Sequence, residues 1–498
     1  MTGIQLIAYS ASVTLLVLSN YVDKGVYYRV LGKLVGYVLL ICTVILLYQF
    51  GLVDSFSLSL GLSFTLISFL ISVYTLFYRE AHHYPKHLET LIDLFLVFII
   101  SAYIAPSFIL MIVAWTSGEI LGYVLIKLGE EHSSEGPLTS SRGFIFASTL
   151  TYEISVFTLI TLSIIFTTAG IGLYELMKPF TQQLAVVAIP VIIIPLLVVG
   201  FITKTANIPL HFWLPSAHSS APSPASATLS GLMVSLGYYG LYRVISVVDI
   251  DAYRAPISWF FVLVGFLSIM YGGFQALAQR DVKKLLAYMT IATNGFISVV
   301  FGLYVMRPLD ITKWTLVIGM VMHAAYKATL FCESGLIEVV YGTRYVHGIR
   351  GFARIASLST MGSILAILSL LGVPGTLGFI AKLLAVYNSI LIVGTDSAMS
   401  VTSLLAFLAY IIISALAALK YARIYYDGAS PRVKALVEKL DWGLQAPVLV
   451  LGLLNVLLCV LVVAFLTQEY GYILALITPL PIITMYLAHA QFRITSTR

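Results

Sequence analysis

The chain has 498 residues, of which 60% are hydrophobic and 10% charged, and its net charge is +6. Its mean hydropathy is +0.99. An average soluble domain is about 25% charged, so this composition excludes a soluble enzyme, a nucleic-acid binder and a disordered scaffold.

A membrane span needs about 20 apolar residues. Fifteen candidates follow one another: 3–19, 30–50, 56–78, 86–104, 106–128, 146–169, 182–205, 222–247, 257–278, 282–304, 311–340, 356–390, 402–425, 444–467 and 472–490. No short alternating segments of the kind that build an outer-membrane barrel are present. The first run, Ile4 to Leu18, lacks a basic start and a small-residue cleavage site, so it reads as a span and not as a signal peptide. The expected fold is an all-α polytopic membrane protein of about 14–15 transmembrane helices. It divides into an N-terminal three-helix segment (1–85), two five-helix units (86–247 and 257–425) and C-terminal helices (426–498). The cysteines Cys42, Cys332 and Cys459 lie far apart in apolar runs. No disulfide framework, zinc site or iron–sulfur cluster is expected from them.

Lys and Arg in the loops set orientation. Twenty follow odd-numbered spans, including Lys24, Arg29, Lys33, Lys283 and Lys420, and five follow even-numbered spans, including Arg243. The asymmetry predicts an external N-terminus, a cytoplasmic C-terminus and an odd number of spans. The three remaining cations, Lys204, Lys327 and Lys382, fall inside spans or their breaks, as do Asp93, Glu119, Glu153, Glu333 and Glu338. A charge at a helix centre costs roughly 2.5–3.5 kcal/mol on insertion scales, and such groups mark ion paths by default. The plainer reading is that some snorkel near span ends or form static pairs.

Lys204 precedes Thr205-Ala-Asn-Ile-Pro209, and Lys382 follows Gly372-Val-Pro-Gly-Thr-Leu-Gly378. Proline removes a backbone donor and breaks a helix. Broken helices at membrane depth are tolerated where they are buried or line a wet cavity. Each break falls in the fourth helix of its five-helix unit. Five is odd, so successive units must face opposite ways, which predicts an inverted repeat with two broken helices.

Burial penalises the charged form of an amine, and a nearby carboxylate favours it, so such a pair can load and release a proton. Glu119 is the expected partner of Lys204. His323 and Lys327 are four apart on one helix face, and Glu338 lies eleven residues further on the same stripe. Together they are candidates for carrying protons between the lysines, with Asp93, Glu153 and Glu333 as further candidates. Tyr238, Tyr239, Thr290, Thr293 and Asn294 add polar groups that can also serve as helix–helix glue. His211 and His218 flank Trp213 and Pro215, and their seven-residue spacing with no third ligand makes a poor metal site. No GxGxxG, P-loop, nucleophile elbow or CxxC occurs. No cofactor is therefore expected in this chain, and no redox or covalent catalysis by it alone.

The run Lys204-Thr-Ala-Asn-Ile-Pro-Leu-His-Phe-Trp-Leu-Pro-Ser-Ala-His-Ser-Ser-Ala-Pro-Ser-Pro-Ala-Ser-Ala227 resembles a hallmark of one superfamily. It comprises the antiporter-like membrane subunits of respiratory complex I, the Mrp-type cation/proton antiporters and the membrane-bound energy-converting hydrogenases. Gln279-Arg-Asp-Val-Lys-Lys-Leu-Leu-Ala-Tyr288, His323-Ala-Ala-Tyr-Lys-Ala-Thr-Leu-Phe331 and Gly372-Val-Pro-Gly-Thr-Leu-Gly-Phe-Ile-Ala-Lys382 match it in order, over roughly residues 105–390. The variant Ala-His-Ser-Ser-Ala-Pro-Ser (217–223) looks most like the hydrogenase and related archaeal-type branch. The resemblance implies a proton- or sodium-translocating subunit of a plasma-membrane oxidoreductase complex. Its partners would be other antiporter-like and small helical subunits and a peripheral redox arm. It makes Lys204 the central lysine of one half-channel and Lys382 the terminal group of the other, with His323 and Lys327 in a connecting polar axis. The alternatives are a structural, non-conducting module and an Mrp-type Na⁺/H⁺ antiporter subunit. The chain also departs from the pattern. The family glutamate usually follows the tryptophan directly, but here Thr116 follows Trp115 and the carboxylate is Glu119. Ser216, Ser235 and Thr293 stand where an aspartate, a lysine and a histidine are frequent. Water, Tyr238, Tyr239 or the eleventh-span residues would then bridge the gaps.

Overall fold

The computed structural model describes residues 3–23, 25–132, 140–147, 153–167, 178–182, 187–188, 193–246, 248–426, 440–466, 481 and 484–485. Leucine-, isoleucine- and valine-rich runs form helices almost throughout, since a helix satisfies every backbone donor and acceptor internally in lipid. The helices are α1 (Gly3–Ser19), α2 (Val26–Gln49), α3 (Ser55–Ala81), α4 (His87–Ile104), α5 (Phe108–His132), α6 (Ser140–Ala147), α7 (Glu153–Thr167) and α8 (Ile193–Thr205). They continue as α9 (Leu214–Ser220), α10 (Ser223–Thr228), α11 (Leu236–Ile245), α12 (Arg254–Ala278), α13 (Val282–Met306) and α14 (Asp310–Tyr341). The last are α15 (Ser357–Leu371), α16 (Leu377–Leu391), α17 (Ser397–Ala422) and α18 (Trp442–Leu466). Val187–Ala188 and Val248–Asp249 make one short parallel pair. Among the described residues, nine helices are long and apolar enough to cross a membrane. The protein is an all-α multi-pass membrane protein.

The chain forms two compact units. One is Met1–Arg79 with Tyr84–Pro256, and the other is Glu80–His83 with Ile257–Arg498. The first unit runs to Pro256 and includes the N-terminal helices α1 and α2. There α1, α2 and α4 share a core of Leu16, Tyr37, Leu40, Val44, Leu47, Val97, Ile100 and Ile104. In the second unit α14 is enclosed on all sides: every residue from Thr315 to Ile337 is buried. It packs against α13, α15, α16 and α18. By contrast, α17 leaves Val401, Leu405, Leu408, Ile412, Leu416 and Leu419 exposed at helical spacing. That stripe suits lipid or a partner helix.

Both expected helix breaks are present. Helix α8 ends at Thr205, and Ala206 takes a positive φ of 52°. In the twelfth span α15 ends at Gly372 with φ 84°, and α16 restarts at Thr376, whose side chain caps the Phe379 amide. The eighth span, expected to be one helix, is α10, a π-turn over Leu229–Met233, and α11. Gly237 explains part of that irregularity: α8 approaches so closely that a Cβ there would meet the Phe201 carbonyl oxygen and Thr205. Within the sixth span (146–169) the structure describes α7, preceded by the short α6, of which only the last two residues fall in the span; 148–152 lie outside the described residues. The fifteenth span and Ser496–Arg498 also lie almost wholly outside them.

Several of the cations assigned to loops sit instead in helices. Arg29 and Lys33 are in α2, Arg243 in α11, Lys283 in α13 and Lys420 in α17. Helix α2 extends beyond its apolar stretch to take in Arg29, whereas Lys33, Arg243, Lys283 and Lys420 fall within the expected spans themselves, near their ends, where a charge is read as part of the adjoining loop.

The break after α15 is tight. Gly378 donates its amide to Ser369 Oγ at 3.1 Å, and a Cβ at Gly378 would fall on the Ser369 carbonyl oxygen. Gly378→Ala is expected to destabilise the protein by about 3 kcal/mol or more, the upper range for overpacking. Thermal unfolding of the detergent-solubilised protein checks this; an unchanged midpoint would show that the two half-helices are not closely packed.

Candidate ion-translocation site

In the first unit, the site is built where α8 stops. Lys204 is the penultimate residue of that helix and is 3% exposed. Its Nζ lies 2.6 Å from Glu119 Oε1. Glu119 sits on α5, one turn from Trp115, and Trp115 Nε1 donates to the same carboxylate oxygen at 2.8 Å. The i,i+4 spacing puts both side chains on one face, so the displaced glutamate still meets the lysine. The Phe144 and Trp213 rings stand 4.9 and 5.6 Å from the ammonium. Trp213 is itself held through Nε1 to the Thr203 carbonyl oxygen at 3.0 Å. The result is one amine and one carboxylate shut among aromatic rings, where each responds strongly to the other's charge.

The unwound stretch after α8 feeds a polar contact: Asn207 Nδ2 donates to Tyr238 Oη at 2.7 Å. His218 is buried and His211 half-buried. Ser235, where the resembling family often has a lysine, is fully buried. Tyr239 is drawn elsewhere. Its Oη lies 2.8 Å from Ser57 Oγ, which also accepts from Arg243, and Arg243 makes a two-pronged pair with Asp54 at 2.8 Å on each arm. Glu153 is exposed at the start of α7 and joins none of this. Asp93 pairs with Lys33 on α2, not with Lys204.

In the second unit, Lys382 on α16 reaches back across the break. Its Nζ donates to the Leu370 carbonyl oxygen at 2.6 Å and to Ser414 Oγ at 2.9 Å, with the Tyr410 ring 5.4 Å away. No carboxylate pairs with it among the described residues. Lys327 donates to the Leu286 carbonyl oxygen and lies 5.2 Å from the Tyr326 ring. The His323 ring is 5.7 Å from the same tyrosine. Thr293 joins these groups. It donates to the Met289 carbonyl oxygen, and Tyr326 and Tyr410 lie 2.6 and 3.0 Å from its Oγ1. Its one hydroxyl proton is already given to Met289, so both phenols donate to it. A hydroxyl–phenol chain thus stands beside both Lys327 and Lys382. Neither Tyr326 nor Tyr410 stood out in the sequence. The one signal was Tyr326 inside the His323–Phe331 motif.

The two glutamates of α14 are placed away from the lysines. Glu338 pairs with Lys283 and Arg344 at 3.3 Å each, and Arg344 also holds Asp281 at 3.1 Å. It shares Lys327's stripe, but eleven residues of helix put it about 16 Å further along the axis. Glu333 accepts from Tyr421 and Tyr425, each at 2.8 Å, and from Ser359 at 3.4 Å. No group of three or more His, Cys, Asp or Glu side chains able to hold a metal occurs among the described residues.

Residues 105–412 match the family described as NADH:quinone oxidoreductase/Mrp antiporter, TM. The chain is 28% identical over 334 residues to a probable K(+)/H(+) antiporter subunit of Rhizobium meliloti, covering 66% of this chain and 32% of that protein. It is 33% identical over 198 residues to NADH-quinone oxidoreductase subunit N of Desulforudis audaxviator, covering 39% of this chain and 38% of that one. The match thus spans about a third of these curated relatives. In fold, the chain is similar to a chain in the structure of the Mrp complex from Dietzia sp. DQ12-45-1b. The TM-score is 0.74 at 18% identity, with 97% of this chain and 99% of that chain covered. The family match covers more than half of the sequence, and this chain belongs to the NADH:quinone oxidoreductase/Mrp antiporter transmembrane family.

Proposed function

We propose that this chain is a proton- or sodium-translocating subunit of a multi-subunit membrane-bound oxidoreductase complex. Electron transfer in partner subunits drives it electrostatically. The observation that carries this reading is the buried Lys204–Glu119 pair at the end of a broken helix. An ionisable pair there is costly in a chain that only fills lipid, and it holds or sheds a proton as the charge around it changes. Lys382, beside the second break and hydrogen-bonded only to neutral groups among the described residues, is the matching group of the second unit. The partners are sister antiporter-like subunits, small helical subunits and a peripheral redox arm, which supplies all cofactors. The site is the plasma membrane, with the N-terminus outside and the C-terminus in the cytoplasm. That orientation is supported by the loop Lys and Arg excess.

A second reading, an antiporter component driven by ion gradients alone, is favoured by the longer sequence match, to the Rhizobium meliloti protein. Purification of the intact complex separates the two: redox subunits are expected to co-purify. In sealed vesicles, electron transfer should drive ion uptake, and Lys204→Ala with Lys382→Ala should abolish it. Undiminished uptake in that double variant would leave a structural module as the surviving account.

A further inference from the structure

The first unit holds buried charges that the Lys204–Glu119 site does not use. Lys33 on α2 and Asp93 on α4 are 0% and 1% exposed and form an ion pair. Asp93 Oδ2 also accepts from Asn20 Nδ2 at 2.7 Å, and Ser72 Oγ on α3 donates to Oδ1. Lys33 Nζ contacts the same Ser72 Oγ at 2.9 Å. One turn nearer the helix ends, Arg29 and Arg79 both close on Glu89. Arg29 and Lys33 are four apart, as are Glu89 and Asp93, so two rungs stack between α2 and α4.

The rungs differ in chemistry. A guanidinium stays protonated in proteins, so the outer rung is fixed charge. The inner rung has an amine that can shed a proton, a carboxylate that can take one, and a hydroxyl touching both. On α3, Thr75 lies between the two rungs, and Ser68 and Thr65 continue the polar face inward from Ser72; all four are fully buried and lie on one face. Asn20 Oδ1 and Ser68 Oγ are buried with no hydrogen-bond partner among the described residues. Buried polar atoms bond to protein or to water, so this stripe is a place for water beside the pair. Lys33 lies seven residues into α2, about 10 Å below its start, well inside a span. Stability alone is a weak reason for such a pair, since burying two charges costs about as much as their attraction returns. All these residues precede residue 105, where the family match begins.

We infer that Lys33, Asp93 and Ser72 form a second proton-exchanging site in the first unit, capped on one side by the fixed charges of Arg29, Arg79 and Glu89. In the loaded state Lys33 carries its proton beside the Asp93 carboxylate; release passes that proton to water along the α3 stripe and leaves the amine neutral, and loading takes one proton back. No electron moves and no other bond changes. The inference rests on the proposed ion-translocating function, and the experiment keeps the two apart.

The test is ion uptake by vesicles containing the whole complex, with electron transfer and assembly measured in parallel. Lys33→Arg keeps the charge and the ion pair but cannot release a proton. Uptake is expected to fall by about tenfold or more, as when a proton-transfer group is lost, while assembly persists. The exposed Lys86→Gln should change nothing. Wild-type uptake in assembled Lys33→Arg would overturn the inference and make the pair a clamp between helices. Should Lys33→Arg fail to assemble, Ser72→Ala, which keeps both charges, is read by the same rule. Lys204→Ala runs alongside: full uptake there overturns the proposed function itself, whereas loss there with wild-type uptake in Lys33→Arg overturns this inference alone.

Discussion

Glu119→Gln is expected to cut ion uptake by the assembled complex by about 10²-fold, the scale of a lost proton-transfer group. The amide keeps the shape of the carboxylate and can still accept from Trp115 Nε1. It no longer offers Lys204 a counter-charge at 2.6 Å. A lone ammonium among the Phe144 and Trp213 rings is a buried unpaired charge, the costly case. The lysine answers by giving up its proton, so it no longer loads. Lys204→Ala should do at least as much. The double variant should be little worse than Lys204→Ala alone, because both changes act on one contact. Full uptake in Glu119→Gln would remove this carboxylate from the mechanism.

Lys382→Arg is expected to stop uptake almost completely while the complex assembles. The lysine donates to the Leu370 carbonyl oxygen and to Ser414 Oγ, and the Tyr410 ring lies 5.4 Å from its Nζ. A guanidinium can meet the same acceptors but does not deprotonate. The second unit would then be held permanently in its loaded state. Lys382→Met, which is permanently neutral, should stop uptake equally by holding it unloaded. Thr293→Val should give a partial loss, since it breaks the contact to Tyr326 and Tyr410 but leaves Lys382 in place. If Lys382→Arg conducts at the wild-type rate, the proton does not pass through this amine.

The sequence by itself determined the class of fold, the membrane setting, the two helix breaks and the lysines beside them. Each of these is local. Apolar runs of bilayer length must be helices, and Pro209 and the Gly372–Gly378 run interrupt their helices wherever those pack. It also put Glu119 on the face of Trp115, because four residues make about one turn. Only the tertiary structure decided which polar groups meet. Lys33 looked like a loop charge, yet it joins Asp93 across 60 residues. Thr293, a position that cannot titrate, joins Tyr410 across 117. Glu338 lay on the right stripe of α14, yet Lys283 and Arg344 hold it at the helix end. Hydropathy and helical spacing say which face of a helix a side chain takes. They do not say which other helix lies against that face, and for a buried charge that neighbour decides whether it is fixed in a pair or can exchange a proton.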